Sequence, residues 1–513
     1  MYGLFALKRA LWVLLFSVPF GCSSSLAPLP TAKPENLVLP KAASDAVLGS
    51  MPGRSLLIRN AALYDGLGGP LQSKMDVLVR DGKIERIGRE LTAEGLPSLD
   101  ASGLFLYPGL ITSHAHLQSV PGSVLRGDDF EAVKVQQALQ LRAYLACGFT
   151  SVLDPAIGPE TAVRLRAHVR EGQPGPDIFI LAPFVTPADG YMTSKKMKGA
   201  AFADFWPAVA EDTDVVEFIN SAKSLEPVGV KVAIEDGVVF PNLPVFAEKT
   251  IKAIRDAGQK TGSRLYVHSI SNDEHRIALS LKPYALVHVG MWDDTLADDV
   301  LATLKRDQIY VISTATLQPL SNWGWFPQFA KDPWIKQRVP VLQWLTATHP
   351  SAPERLSDIT SEIMKPSYVP AGLARATASW FTPSPEEAAE AGAKSAAAIK
   401  LLHENGVPWV VGADEGNSPA YTTFFHGVAS QIELELLDKA GIPRTAIIAA
   451  ATTTPAKMLG ITERFGTVET GKQADLILLK KDPIQHGMKA LRSLQWTIKR
   501  GEARTPASWL TQP

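Results

Sequence analysis

Six residues in this chain of 513 share one setting: each ends, or lies inside, a short apolar run with the look of a β-strand. Each is also a type that can hold a metal ion or move a proton. His114 and His116 follow Gly109-Leu110-Ile111-Thr112-Ser113. Side chains at i and i+2 of an extended segment project to one side, so both imidazoles can reach the same cation. A lone His-x-His is a weak signal, since core packing also produces it. His268 and His288 end two further runs, and each taken singly reads more readily as a structural histidine. Asp414 follows Val410-Val411-Gly412-Ala413, where an acid can equally cap a helix. Four strand ends that each present a metal-capable residue are hard to explain by four unrelated structural roles.

Lys231 is the most informative of the six. It interrupts Val228-Gly229-Val230 and Val232-Ala233-Ile234, a run that otherwise reads as buried. Burial strips an ammonium of water and lowers its pKa. The lysine must therefore be paired, neutral or chemically modified, and Glu235 and Asp236 are near enough in sequence to pair with it.

Something must gather these strand ends. The middle of the chain alternates apolar runs with helical stretches, the pattern of parallel βα units. Eight strand candidates lie near Leu106–Ile111, Thr150–Leu153, Ile178–Leu181, Val230–Ile234, Leu265–Val267, Leu286–Val289, Ile309–Ile312 and Trp409–Gly412. Eight repeats predict an α/β fold, a (β/α)8 TIM barrel over 106–460; a doubly wound sheet has the same count. The last gap, about 95 residues, holds an insertion at about 316–390 with Trp323, Trp325, Trp334 and Trp344. These tryptophans read as a packed cover more readily than as a pocket wall. Short β-like runs with Asp-Gly turns occupy 55–105, and similar runs return over 461–505. Neither end closes a sheet alone, so one small β-sandwich domain built from both chain ends is expected.

Net charge is −1 with 46% apolar residues. That composition excludes a disordered, collagen-like, coiled-coil or multi-span membrane chain. It also argues against a nucleic-acid partner, which needs a surplus of Lys and Arg. At the start, Lys8-Arg9 precedes an apolar run from Ala10 to Phe20, too short to span a bilayer. Gly21-Cys22-Ser23 resembles a bacterial lipoprotein cleavage site, although Pro19 stands where Leu is usual; cleavage near Ala27 is the alternative. Residues 1–21 thus read as a signal peptide and 22–53 as a tether. Both routes export the protein, to the periplasm or to an outer-membrane lipid anchor at Cys22. Cys147 is the only other cysteine, so a lipidated Cys22 leaves no disulfide, and Cys147 reads as a buried core residue.

Taken together, the strand-end motifs resemble the amidohydrolase superfamily of metal-dependent hydrolases, in its imidazolonepropionase and prolidase-like branch. The resemblance covers roughly 55–505. It rests on Gly-Leu-Ile-Thr-Ser-His-Ala-His (109–116), Ala-Thr-Thr-Thr-Pro-Ala-Lys-Met-Leu-Gly (451–460) and Gly-Thr-Val-Glu-Thr-Gly-Lys-Gln-Ala-Asp-Leu-Ile (466–477). It implies the barrel and two divalent metal ions, with zinc favoured by the histidine-rich ligands. His114, His116 and Asp414 match ligands of the more buried ion, and His268 and His288 match those of the second. Lys231 matches the lysine that relatives carboxylate with CO2 to bridge both ions, which would resolve its buried charge. Two divalent ions against carbamate, Asp414 and a bridging hydroxide leave a net positive site able to polarise a carbonyl. The implied reaction is hydroxide attack on an acyl carbon, with Asp414 moving the proton to a leaving nitrogen.

The expected function is hydrolysis of a C–N amide bond in a small-molecule or short-peptide substrate, peptide-like or N-acylated. Rivals are a lactonase or phosphotriesterase on the same site, a mononuclear deaminase, and a binding protein that has lost the chemistry. A homo-oligomer is a family-based expectation. The chain departs from its relatives where substrate binds. Pro187-Ala188-Asp189-Gly190-Tyr191 replaces a Gly-Gly-His-Gly type loop, Ile270 replaces a second histidine, and Val287 precedes His288 where Glu is usual. Tyr191 is therefore a candidate substrate contact, as is His426, which follows the eighth strand. His168, His275, His403 and His486 read as structural or surface residues.

Overall fold

The computed structural model describes residues 27–41, 49–193, 205–236, 243–290, 293, 295–317, 330–352, 354–355, 385–418 and 421–511. The expected signal peptide, Cys22, Trp323, Trp325 and much of the expected insertion lie outside the described residues.

Both chain ends build one nine-stranded sheet. Its strands are β1 (Ser50–Met51), β2 (Leu56–Leu63), β3 (Gln72–Arg80), β4 (Lys83–Gly88), β5 (Ser98–Asp100) and β6 (Phe105–Pro108) from the front of the chain. The far end supplies β15 (Leu476–Leu479), β16 (Leu494–Lys499) and β17 (Glu502–Arg504). The β3–β4 hairpin turns on Asp81 and Gly82, both at positive φ, as the twist of an antiparallel pair requires. The ends meet where β15 pairs antiparallel with β6. Leu476 and Leu478 of β15 enter the core of this domain with Val77, Val79, Ile84 and Ile498. Their neighbours Ile477 and Leu479 face the larger core of the barrel. Burial of both faces is why β15 reads as an unbroken apolar run.

The second sheet holds eight parallel strands in chain order. They are β7 (Leu110–Thr112), β8 (Phe149–Asp154), β9 (Asp177–Val185), β10 (Gly229–Ala233), β11 (Leu265–His268), β12 (Ala285–Val287), β13 (Tyr310–Ile312) and β14 (Trp409–Val410). The expected (β/α)8 barrel is the fold. One boundary differs: the candidate strand Leu106–Ile111 is two strands in two domains. The Gly109 N–H bonds to Asp475 O in the end sheet, while the Leu110 N–H bonds to Gly148 O in the barrel. The barrel thus begins at Leu110 and not at 106. A side chain at Gly109 would collide with Thr150, 2.2 Å from the position of its Cβ.

Period-2 alternation sorts the barrel. Val152, Ile180, Val230, Val232, Val267 and Leu286 point outward to the helices, whereas Ile111, Leu153, Leu181, Tyr266, Val287 and Ile312 fill the interior. Outer helices such as Glu248–Thr261 bury one stripe, Thr250, Ile254, Ala257 and Gly258. The barrel floor is plugged by the helix Thr453–Leu459, whose Ala456, Met458 and Leu459 join the interior cluster. Three groups converge on Met458 O: Arg264 Nη1 at 3.0 Å and the hydroxyls of Tyr284 at 3.1 Å and Tyr266 at 3.4 Å. The guanidinium groups of Arg338 and Arg492 lie over the Trp334 ring at 4.4 and 4.7 Å, which fits the packing role expected of it. Cys147 is buried and caps the helix Phe130–Ala146.

Candidate metal centre

The barrel closes where its first and last strands meet, and that seam builds the site. Ser113 N–H bonds to Val411 O at 2.7 Å, Asp414 N–H to His114 O at 3.0 Å, and His116 N–H to Glu415 O at 2.7 Å. Residues about 300 apart in sequence are thereby fixed side by side. His114 Nε2 and His116 Nε2 lie 3.1 and 2.8 Å from Asp414 Oδ1 and 3.2 Å from each other. Asp414 Oδ1 is buried and accepts no hydrogen bond, while Asn417 Nδ2 donates to Oδ2 at 2.6 Å. Three electron-pair donors crowd one point and the carboxylate oxygen there is left without a proton donor, an arrangement that a divalent cation completes.

The other three expected ligands border this point. Lys231, 2% exposed, shares its inward phase with Ala233, while Val230 and Val232 point outward. Glu235 does not pair with it; its Oε2 lies 2.7 Å from His268 Nε2 instead, and Asp236 is exposed. His288 forms a 2.8 Å hydrogen bond between Nδ1 and Thr314 Oγ1. Its ring centroid lies 5.1 Å from that of His114 and 4.8 Å from that of His268. Strict alternation would send His288 outward, because Val287 points in. Its φ of 73° breaks the phase and turns the ring inward, and Asp414 at the eighth strand is also left-handed, with φ 55°.

Burial dominates the electrostatics. It pushes His114 and His268 down to about 3 and His288 well below its usual range. Burial opposes ionisation of Asp414, yet His114 and His116 outweigh it and hold the carboxyl well below the carboxylate range. Neutral imidazoles beside an ionised carboxylate are the protonation states in which these groups ligate a metal. Lys231 is drawn down to about 8 by burial, partly offset by Asp414 and Asp154. Burial and then Asp236 raise Glu235 to about 8.

Tyr191 stands at the site, its ring stacked on His268 at 4.6 Å and 18°. His426, expected as a substrate contact, is held by the scaffold. It is 2% exposed, with Nδ1 2.9 Å from the Tyr144 hydroxyl and Nε2 3.2 Å from Ser119 O. Both ring nitrogens are spent on the scaffold. His275 is likewise structural, bonded through Nδ1 to Ser269 Oγ at 2.8 Å.

Sequence reading missed several supporting groups. Asp154 ends β8 and accepts from the N–H of Leu117 at 2.7 Å and of Ala156 at 2.9 Å, anchoring the loop after His116. An acid directly after an apolar strand was its available signal, the same one that marked Asp414. Glu235 carried that signal too, after the run 228–234, but its sequence position pointed to Lys231 and not to His268, whereas Thr314 and Asn417 carried none. Neither did Tyr421, whose hydroxyl is raised by burial and then by the charge of Asp414.

The sequence model of the amidohydrolase family matches residues 344–503. The dihydroorotase of Streptococcus pneumoniae serotype 4 is 44% identical over 73 residues, which are 14% of this chain and 17% of that protein. The D-hydantoinase of Geobacillus stearothermophilus is 37% identical over 79 residues, 15% of each chain. The matches therefore span less than a fifth of these relatives' length. A solved Xaa-Pro dipeptidase with methionine in its active site shares the fold, with a TM-score of 0.64 at 20% identity over 87% of this chain and 98% of that one. The amidohydrolase family model thus covers residues 344–503, and the barrel with its end-built sheet is the fold shared with that dipeptidase.

Proposed function

We propose that this chain is an exported binuclear metal-dependent hydrolase that cleaves a C–N amide bond of a peptide-like or N-acylated substrate. The observation that carries the reading is the convergence of His114 Nε2, His116 Nε2 and the hydrogen-bond-free Asp414 Oδ1 on one point, bordered by Lys231, His268 and His288. These six residues would hold two divalent ions, with zinc suited to imidazole and carboxylate donors. When bound, such ions supply Lewis acidity toward a carbonyl oxygen and acidify water.

The chain's own groups account for the rest. Asp414 is ionised and fixed at one oxygen by Asn417, so it can take a proton and return it to a leaving nitrogen. Lys231 with its pKa near 8 is mostly ammonium at pH 7 but keeps about a tenth of its population as the neutral amine, far more than an ordinary lysine. A neutral amine adds to CO2, forming the N–C bond of a carbamate with release of a proton. Tyr191 lies against His268 and is the nearest candidate for contact with a substrate. A dipeptidase among the structures that share the fold supports a peptide-like substrate. Export rests on the basic and apolar stretch before Cys22.

The test is metal content of the purified protein beside Lys231→Ala, followed by amides, lactones and phosphotriesters offered as substrates. Near two ions per chain, falling sharply in the variant, with turnover of amides, is the expected result. One ion untouched by the substitution would overturn the binuclear reading in favour of a mononuclear site. Turnover confined to lactones or phosphotriesters would overturn the assigned bond.

A further inference from the structure

We infer that Glu235 is a positioning residue: it claims Nε2 of His268, leaves Nδ1 as that ring's metal-facing nitrogen, and so builds the second metal position. The inference rests on the binuclear reading above.

Backbone register sets the contact. Ala233 pairs with His268 across β10 and β11, and Ile234 N–H bonds to His268 O at 2.9 Å. The residue after Ile234 must then stand beside the His268 side chain. Glu235 does, 6% exposed, with Oε2 at 2.7 Å from Nε2. The ring is held on its other sides as well. Tyr191 covers a face at 4.6 Å, and His288 meets it edge-on at 4.8 Å and 84°. A face, an edge and one nitrogen are taken; with Glu235 ionised and accepting from Nε2–H, as a bound cation would favour, the lone pair left to offer is that of Nδ1.

His288 shows the same design with the nitrogens exchanged: Thr314 holds Nδ1 and leaves Nε2. The contrast is His114, whose Nδ1 is buried without a partner and whose Nε2 is placed by the seam of the barrel. The first position is thus organised by the backbone ladder, and the second by side chains that each fix one histidine. A carboxylate on the far nitrogen of a ligating imidazole orients the ring and strengthens it as a donor, and loss of such a partner costs about 10- to 100-fold in metal affinity.

The experiment is a competitive-chelator titration with Zn2+ on wild type, Glu235→Ala and Glu235→Gln, with Co2+ absorption spectra as a second readout. In Glu235→Ala the weaker of two binding constants should fall about 10- to 100-fold while the tighter is unchanged. Glu235→Gln, whose amide oxygen still accepts from Nε2–H, should recover most of that loss. Two unchanged constants in Glu235→Ala would overturn the inference while leaving the binuclear site intact. Equal damage by Gln and Ala would also overturn it, because the carboxylate would then be a ligand itself. Loss of thermal stability with both constants lowered together would show a merely structural residue. A wild type that binds a single ion would instead defeat the binuclear reading.

Discussion

Replacing Lys231 by Met should make the metal-free protein more stable at neutral pH while abolishing its second metal. Lys231 is 2% exposed inside the barrel, and burial draws its pKa from 10.5 to about 8. The unfolded chain restores the ordinary value. Between those two values the folded state binds fewer protons than the unfolded one, so stability rises with pH there. The penalty for burying the ammonium is fully present below pH 8 and fades as pH approaches 10.5. Linkage over that gap gives about 3 kcal/mol at pH 7 and just under about 1 kcal/mol at pH 10. Met fills a similar volume without the charge. An unfolding entropy of about 2.1 cal/mol/K per residue sums to about 1 kcal/mol/K here, so Tm should rise by about 3 °C at pH 7 and by about 1 °C at pH 10. The assay is scanning calorimetry of both proteins, stripped of metal and held in CO2-free buffer at the two pH values. An equal gain at both pH values would trace the effect to packing and refute the ionisation argument. A loss at pH 7 would show that the ammonium is better solvated than its surroundings indicate.

Three further outcomes follow from the same geometry. Asp414→Asn should lower turnover by about 10²- to 10⁴-fold with ions still bound; an unchanged rate alongside full metal content would remove the proton role. Gly416→Ala should destabilise the fold by more than about 1 kcal/mol, because φ is +66° and the added Cβ would sit 2.6 Å from His116 O and 2.8 Å from the His426 ring. Urea denaturation reads that loss, and weakened metal retention should accompany it. His426→Ala should cost about 1–3 kcal/mol by stranding its buried partners while leaving KM within about twofold; a large rise in KM would return His426 to the substrate side.

Much of the architecture is local, and the sequence by itself determined it. Alternation along Val230-Lys231-Val232 sends the two valines to the helices and the lysine inward, so a charge in the barrel interior follows from period 2 alone. The His-x-His at 114 and 116 converges as its spacing requires. The apolar runs at both ends announce strands of one shared sheet, in which β15 to β17 extend the block that β2 to β6 build. What the tertiary structure decided depends on partners distant in sequence. Only Asp475 and Gly148 show that the chain changes sheets at Gly109. Only a left-handed backbone at His288 overrides the phase that would have turned it outward. Only the register of β10 on β11 gives Glu235 to His268 instead of to Lys231. His426 ends the series: its sequence position after the eighth strand pointed to the pocket, but Tyr144 and Ser119, 282 and 307 residues away, occupy both its nitrogens. Local periodicity fixes which way a side chain leaves the backbone, whereas its hydrogen-bond partners are set by packing between segments that no local pattern connects.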